Sequence, residues 1–508
     1  MNNNSNRLAK NTILLYFRQI LIMLVGLYTV RIVLSTLGTE DYGIYNVISG
    51  IVVLFSFINN AMVSGTQRYL NYYLGKKDIE KAQDVYSSSL IIYFFVSIIF
   101  IIIAETIGMW FVYYKLNIPP LRHTAALIVY QFTIITTVFA IMRVPYNAML
   151  IAYERMSFFA LFSIIEVSLK LVIVFILLVT QLDKLIIYSF LISLIALIIT
   201  GLYIIYCKKT FEIAHFRKVS NVEFVKEQLT FSGWSFFGSL ANVLSVQGTN
   251  LVLNMFTNVT INAAMGIANQ VNSAVYSFVS NFQTAFYPQI IKTYAEDNKK
   301  YFLELISRTS KISFYLLSFI VVPLLVNTNF VLTVWLKDIP NYSVTFVQLI
   351  LLLSLTESWN GPLWVSVQAT GIIKKYQIIV SSLIILNLPL TIIAFALKAP
   401  PESILLIRII LNLFITIWRI NYLHKLINLA RREFIFNVLL RSSLIFCISL
   451  TLTKMFGKLF TNEIIYFFLT CIFSVLINIF LITFLGLKQE ERLSLYNLIK
   501  IKLGKHNE

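Results

Sequence analysis

The sequence predicts an all-α polytopic membrane protein of about 14 transmembrane helices, built as two six-helix lobes related by a parallel repeat plus two C-terminal helices. Three observations carry this. Of 508 residues, 58% are hydrophobic and 13% charged, whereas an ordinary soluble domain is about half apolar and a quarter charged. The apolar residues fall into runs long enough to cross a bilayer, and no segment between them has room for a soluble domain. The basic residues alternate between dense and sparse connections, as successive crossings require.

A helix crossing the hydrocarbon needs about 20 mainly apolar residues. Runs that meet this lie at 12–37, 42–70, 84–113, 123–151, 157–180, 184–206, 231–256, 261–291, 305–334, 342–370, 376–397, 402–427, 435–456 and 463–487. The polar N-terminus leads into a run without a small-residue cleavage pattern, so the first helix is expected to be retained. One set of connections carries 26 of the 41 basic residues, among them Lys76, Lys77, Lys208, Lys209, Lys292, Lys374 and Arg432; the opposite set holds seven. An even number of crossings with this bias places both termini in the cytoplasm.

A shift of 216 positions aligns Gly50 with Gly266, Val63 with Val279, Gln67 with Gln283 and Lys76 with Lys292; a shift of 217 aligns Pro145 with Pro362 and Ala152 with Ala369. The shift maps helices one to six onto seven to twelve. Six is even, so the copies share an orientation, a recurring transporter design with the substrate held between the halves. The expected organisation is an N-lobe at 1–206, a cytoplasmic linker at 207–230 that reads as an amphipathic helix on anionic lipid, a C-lobe at 231–427, extra helices within 428–487 and a basic cytoplasmic tail at 488–508.

The net charge of +18 does not point to nucleic acid, because Lys and Arg fall mainly in the connections. Cys207, Cys447 and Cys471 have no metal-type spacing and read as free thiols; no metal site and no catalytic residues are expected. No nucleotide-binding motif is present.

A charge within the hydrocarbon costs roughly 2.5 to 3.5 kcal/mol on insertion scales, so one that persists faces a partner or water. Apart from those assigned to the connections, eight basic residues remain: Arg18, Arg31, Arg68, Arg143, Lys170, Arg408, Arg419 and Arg441. Five of these belong to the first six helices, and helices seven to eleven hold none of them within their apolar stretches. The first lobe therefore reads as built for negative charge, with Arg18, Arg31, Arg68, Arg143 and Lys170 as candidates for binding a phosphate group, which guanidinium groups hold in bidentate fashion. Arg68 and Arg441 could instead snorkel to headgroups, and Arg31 could pair with Glu40 or Asp41. Glu166 and Lys170, four apart on one helix, favour a mutual ion pair. Should Glu166 face a cavity, it and Glu357 are candidates for ion or proton coupling, with Na+ or H+ the coupling ion and no other cofactor. Pro145, Pro323, Pro362 and Pro389 mark flex points. Trp335, Trp359 and Trp364 are candidates for stacking on a sugar, though interfacial belts explain most of the aromatic residues.

The stretch RIVLSTLGTEDYGIYNVISGIVVLFSFINNAMVSGTQRYLNYYLGKKD at 31–78, with LG, an acidic turn followed by YG, and a basic GKKD connection, resembles the opening of the polysaccharide exporter, or Wzx-type O-antigen flippase, family. QLTFSGWSFFGSLANVLSVQGTNLVLNMF at 228–256 is similar to that family's seventh helix. The resemblance implies a MATE-like fold of twelve core helices, often with two more. It also implies a flippase, not an enzyme, in the bacterial inner membrane. Such a protein turns an undecaprenyl-pyrophosphate-linked oligosaccharide from the cytoplasmic to the periplasmic leaflet for O-antigen, capsule or exopolysaccharide assembly. Its partners would be that lipid-linked glycan, membrane lipids and other polysaccharide assembly proteins. The resemblance gives the pyrophosphate to cavity arginines, here Arg18, Arg31 and Arg68. Two alternatives stand beside this reading: a cation-coupled multidrug exporter, which would prefer an acidic cavity, and a polytopic polymerase or glycosyltransferase, which would need a larger external loop.

Overall fold

The structure, a computed structural model, describes residues 14–26, 28–29, 32–33, 36–38, 41, 44–45, 48–49, 56–114, 118–217, 222–257, 259–336, 339–457, 459–460, 462–487, 489 and 491–492. Among these residues there are helices and no strands, because in hydrocarbon every backbone donor and acceptor must find a partner inside its own segment or in a closed barrel.

The first helices are α1 (Leu14–Gly26) and α2 (Ser56–Gly75). Then come α3 (Ile79–Tyr114), α4 (His123–Ala152), α5 (Met156–Val179) and α6 (Lys184–Thr210). Local chemistry sets their ends. The Asp78 carboxylate caps α3 by accepting from the Lys81 amide at 3.1 Å, and Asp183 caps α6 through the amides of Leu185 and Ile186 at 3.1 and 3.2 Å. Lys208 and Lys209 sit in the last turn of α6, where the helix dipole favours cations.

The second half opens with α7 (Val222–Phe256) and α8 (Val259–Ala295). Residues Val222 to Thr230, read from sequence as part of a linker, are continuous with the seventh span. Three expected spans are each broken once: into α9 (Lys299–Val326) and α10 (Thr328–Leu336), α11 (Ser343–Ser358) and α12 (Asn360–Thr370), α13 (Lys374–Ile385) and α14 (Asn387–Ala396). Pro362 and Pro389 lie in the first turns of α12 and α14, where a missing N–H costs nothing. The Ser358 carbonyl, four residues before Pro362, instead accepts from Gln283 Nε2 at 2.9 Å. The chain closes with α15 (Ser403–Ile427), α16 (Arg431–Gly457) and α17 (Glu463–Gly486). Helices α3, α16 and α17 each contain a π-turn.

Nine helical stretches among the described residues are long and apolar enough to cross a membrane. α2, α7 and α8 are long enough but are not among them. Their sequences are punctuated by Asn, Gln, Ser and Thr, residues that need hydrogen-bonding surroundings and so suit the inside of a bundle.

Two compact units result, and each takes segments from both halves of the sequence. The first comprises 1–243, 284–302 and 367–381, and the second 244–283, 303–366 and 382–508. In the first unit, Ile92 and Phe100 of α3, Val129 and Tyr130 of α4, Val174 of α5 and Leu185 of α6 share one buried apolar core. In the second unit the core carries a polar network. Asn360 Nδ2 donates to Asn412 Oδ1 at 3.2 Å and to Thr416 Oγ1 at 2.9 Å, and Asn412 Nδ2 donates to Thr356 Oγ1 at 2.7 Å. Lys311 Nζ meets Glu491 Oε2 at 2.6 Å, both well buried, which ties the end of the described chain to α9.

Two positions 217 apart show the repeat in the backbone. Glu154, just past α4, and Gly371, just past α12, both adopt left-handed conformations, at φ 56° and 78°.

Candidate functional site

Two basic residues within the spans of the first unit meet on one carboxylate. Glu166 of α5 accepts through Oε2 from Arg143 Nη1 of α4 at 3.0 Å, and through Oε1 from Lys170 Nζ at 2.8 Å. The ion pair expected from the four-residue spacing is present, and Arg143 joins it. The Arg143 guanidinium also stands 5.6 Å from the Tyr203 ring of α6. Arg18 of α1 stacks over Phe159 of α5, 4.6 Å from the ring centroid, and Tyr203 lies within electrostatic range of both arginines.

Tyr203 thus has Arg18, Arg143 and Glu166 within electrostatic range, and with Lys170 on Glu166 the group of three cations and one anion carries a formal charge of +2. Cations paired only inside the protein would be sealed. Here the side chains of Arg143 and Glu166 are 25% exposed and that of Lys170 is 40% exposed, so the group is not sealed inside the unit. In a water-poor span such groups attract an anion far more strongly than they would in bulk water.

Arg68 is engaged elsewhere in the same unit. It is 5% exposed, its Nε donates to the Gln368 carbonyl at 3.0 Å, and its Nη2 donates to that of Ala369 at 3.4 Å. Its guanidinium packs over Tyr69 at 4.3 Å and Tyr72 at 5.1 Å. These carbonyls lie in the last turn of α12, where a cation is favoured, and that of Gln368 also accepts from the Gly371 amide at 3.0 Å. Snorkelling does not describe it, and the contacts explain why an arginine is kept there without any ligand. Arg31 lies outside the described residues. Asp41, one of its suggested partners, is held by Arg122, whose Nε donates to Asp41 Oδ1 at 2.7 Å and whose Nη1 donates to Asp183 Oδ2 at 2.5 Å.

In the second unit, Glu357 faces Arg408 at 3.8 Å, with Arg419 in electrostatic range of both Glu357 and Tyr276. Arg441 Nε donates to the Leu485 carbonyl at the end of α17. Trp359 is stacked on Phe314 at 4.7 Å, is 3% exposed and donates to Ser442 Oγ at 3.3 Å. Its faces are used up in packing, so it presents none to a sugar. Among the described residues no group of three His, Cys, Asp or Glu side chains could hold a metal ion.

Sequence reading did not single out Tyr203, Phe159 or Arg122. The first two are aromatic residues in aromatic-rich spans, and Arg122 counts as one positive charge in an external connection until folding brings Asp41 and Asp183 to it.

These helices define a polytopic membrane protein with the fold of the MATE transporters. A MATE protein solved with MaD3S has a TM-score of 0.71 at 15% identity, over 85% of this chain and 97% of that one. A multidrug resistance MATE transporter of the MOP superfamily, captured outward-facing, gives 0.70 at 14% identity, over 82% and 96%. A MOP superfamily transporter from Pyrococcus furiosus, described as having a binding pocket of reversed polarity that suggests a different function, gives 0.69 at 14% identity, over 82% and 96%. At these identities the likeness establishes the fold alone. No curated protein matches the chain in sequence. Residues 8–294, more than half of the chain, match the model of the polysaccharide biosynthesis protein family, and the chain belongs to that family.

Proposed function

We propose that the protein is a flippase that carries an undecaprenyl-pyrophosphate-linked oligosaccharide from the cytoplasmic to the periplasmic leaflet of a bacterial inner membrane, with both termini cytoplasmic. Membership of a polysaccharide biosynthesis family supports a glycan substrate. The observation that carries the reading is the charge of the first-unit cluster: Arg143 and Lys170 on Glu166, with Arg18 reaching the same group through Phe159 and Tyr203, amount to +2. A pyrophosphate diester carries two negative charges, and guanidinium groups suit its oxygens.

Glu166 is then the resident counter-ion, occupying the cations until pyrophosphate replaces it. It and Glu357 are the carboxylates through which a Na+ or H+ gradient could act. A multidrug exporter for cationic compounds is disfavoured, because both carboxylates already face basic groups, Arg143 and Lys170 for one and Arg408 for the other.

The test is deletion followed by lipid extraction, then rescue with Arg18→Ala, Arg143→Ala and Lys170→Ala. The expected results are a glycan-loaded carrier lipid accumulating on the cytoplasmic side, and failed rescue by inserted variants. Arg31→Ala belongs in the same series. Undiminished export by all of them refutes the pyrophosphate role.

A further inference from the structure

The first unit draws together four helix ends that the charge bias puts on one side of the membrane: those of α2, α4, α8 and α12. Two polar contacts join them. Arg68 of α2 donates to the last carbonyls of α12, Gln368 O at 3.0 Å and Ala369 O at 3.4 Å, beside Gly371. Lys292 of α8 donates to Glu154 Oε1, just past α4, at 3.1 Å, with the Glu154 side chain only 5% exposed. The two helix pairs are copies under the repeat, although the donors are not: Arg68 aligns with Thr284 and Lys292 with Lys76. α2 and α4 correspond to α8 and α12, and each acceptor end carries one of the left-handed residues 217 apart, Glu154 and Gly371. Lys292 is also the repeat partner of Lys76, and it passes so close to α2 that a Cβ on Gly75 would lie 2.8 Å from its Cα.

We propose that these contacts are a paired latch closing the cytoplasmic side, one arm from each repeat, and that both must release before substrate enters. The idea rests on the transporter reading above and does not depend on which substrate is carried. Three features favour a latch over permanent packing. The arms are polar, so water can replace each partner when they part, whereas an apolar seam would expose surface. Each arm joins a helix of one repeat to a helix end of the other, α2 to α12 and α8 to α4, which is where the repeats must separate if they rock about a shared axis. Gly75 and Gly371 leave no side chain between the arms, and a methyl group at Gly371 would lie 2.5 Å from Arg68 Nη2.

The test uses a chain with Cys207, Cys447 and Cys471 replaced by serine. Glu154→Cys with Lys292→Cys, bridged by a short reducible bis-thiosulfonate, turns one arm covalent. Expected are a crosslink in native membranes, loss of polysaccharide export, and recovery on reduction. Export at the unlinked rate despite the crosslink, or no crosslink, overturns the latch. A second measurement leaves export out. Thr293→Cys, buried in the native protein at 4% exposure, is labelled with a membrane-impermeant maleimide in inside-out vesicles. Arg68→Gln, Glu154→Gln and Lys292→Gln are each expected to speed labelling by roughly tenfold, as loss of one arm shifts the opening equilibrium. The exchanged pair Glu154→Lys with Lys292→Glu should return it toward the native rate. Labelling unchanged in all three single variants overturns the proposal. Because this readout needs no glycan, it stands even if the deletion experiment sinks the flippase reading.

Discussion

Arg143 and Glu166 meet at 3.0 Å across two consecutive spans, and the other oxygen of the same carboxylate holds Lys170 at 2.8 Å. One anion therefore serves two cations. Glu166→Gln removes that anion and raises the formal charge of the cluster from +2 to +3. Binding of an isoprenyl pyrophosphate to the detergent-solubilised protein should tighten, while export slows because release is harder. Weaker binding in this variant would show that Glu166 orients the basic groups and is not displaced by substrate.

Arg68 should behave as a structural residue as well as a latch. A hydrogen bond from a charged group contributes about 1.5 to 3 kcal/mol, and its two carbonyl acceptors at 3.0 and 3.4 Å need the guanidinium fork. Arg68→Lys is expected to lower the unfolding temperature and to leave isoprenyl pyrophosphate affinity unchanged. A large affinity loss would return Arg68 to the substrate site.

Trp359→Ala should cost about 3 to 5 kcal/mol, the usual range for deleting a buried large aromatic side chain, because the indole is stacked on Phe314 at an interplanar angle of 4°. Trp359→Phe should retain most of the stability and lose only the bond to Ser442. Thermal unfolding of both variants measures this, and export by Trp359→Phe should stay near normal.

Acid should weaken the Asp41–Arg122–Asp183 triad in a defined direction. Burial opposes ionisation of Asp183, but hydrogen bonds from Arg122 and from the Ile186 and Leu185 amides outweigh it and hold the carboxyl below its ordinary value. Its contribution is full above the unfolded value of about 3.9 and is lost as pH falls through the lower folded value. Asp183→Asn is expected to unfold at lower temperature at neutral pH, with a shallower loss of stability between about pH 5 and pH 3. Parallel acid curves for the two proteins would contradict this.

Much of the architecture is legible in the sequence because hydropathy and charge act locally. The spans of α3 to α6 and α15 to α17 announce themselves, and so does the Glu166–Lys170 pair, since four residues make one helical turn. The breaks at Asn327, Trp359 and Leu386 are less legible, because each falls inside an apolar run long enough to cross as a single helix. Most hidden are long-range partners: the carbonyls that take Arg68 lie 300 positions away, and Lys292 finds Glu154 across 138. A lone arginine in an apolar run looks the same whether it pairs with a carboxylate or caps a helix, and only the fold places Arg143 on Glu166 and Arg68 on the carbonyls of α12.

The Lys311–Glu491 pair bears on how the gene can be handled. An ammonium group at this depth, with its side chain 6% exposed, loses about 3 to 5 kcal/mol when the carboxylate opposite is removed. Trimming the chain before Glu491, or fusing a reporter there, would deprive α9 of that counter-charge and weaken a helix far from the cut, whereas a fusion placed after the final residue leaves it intact.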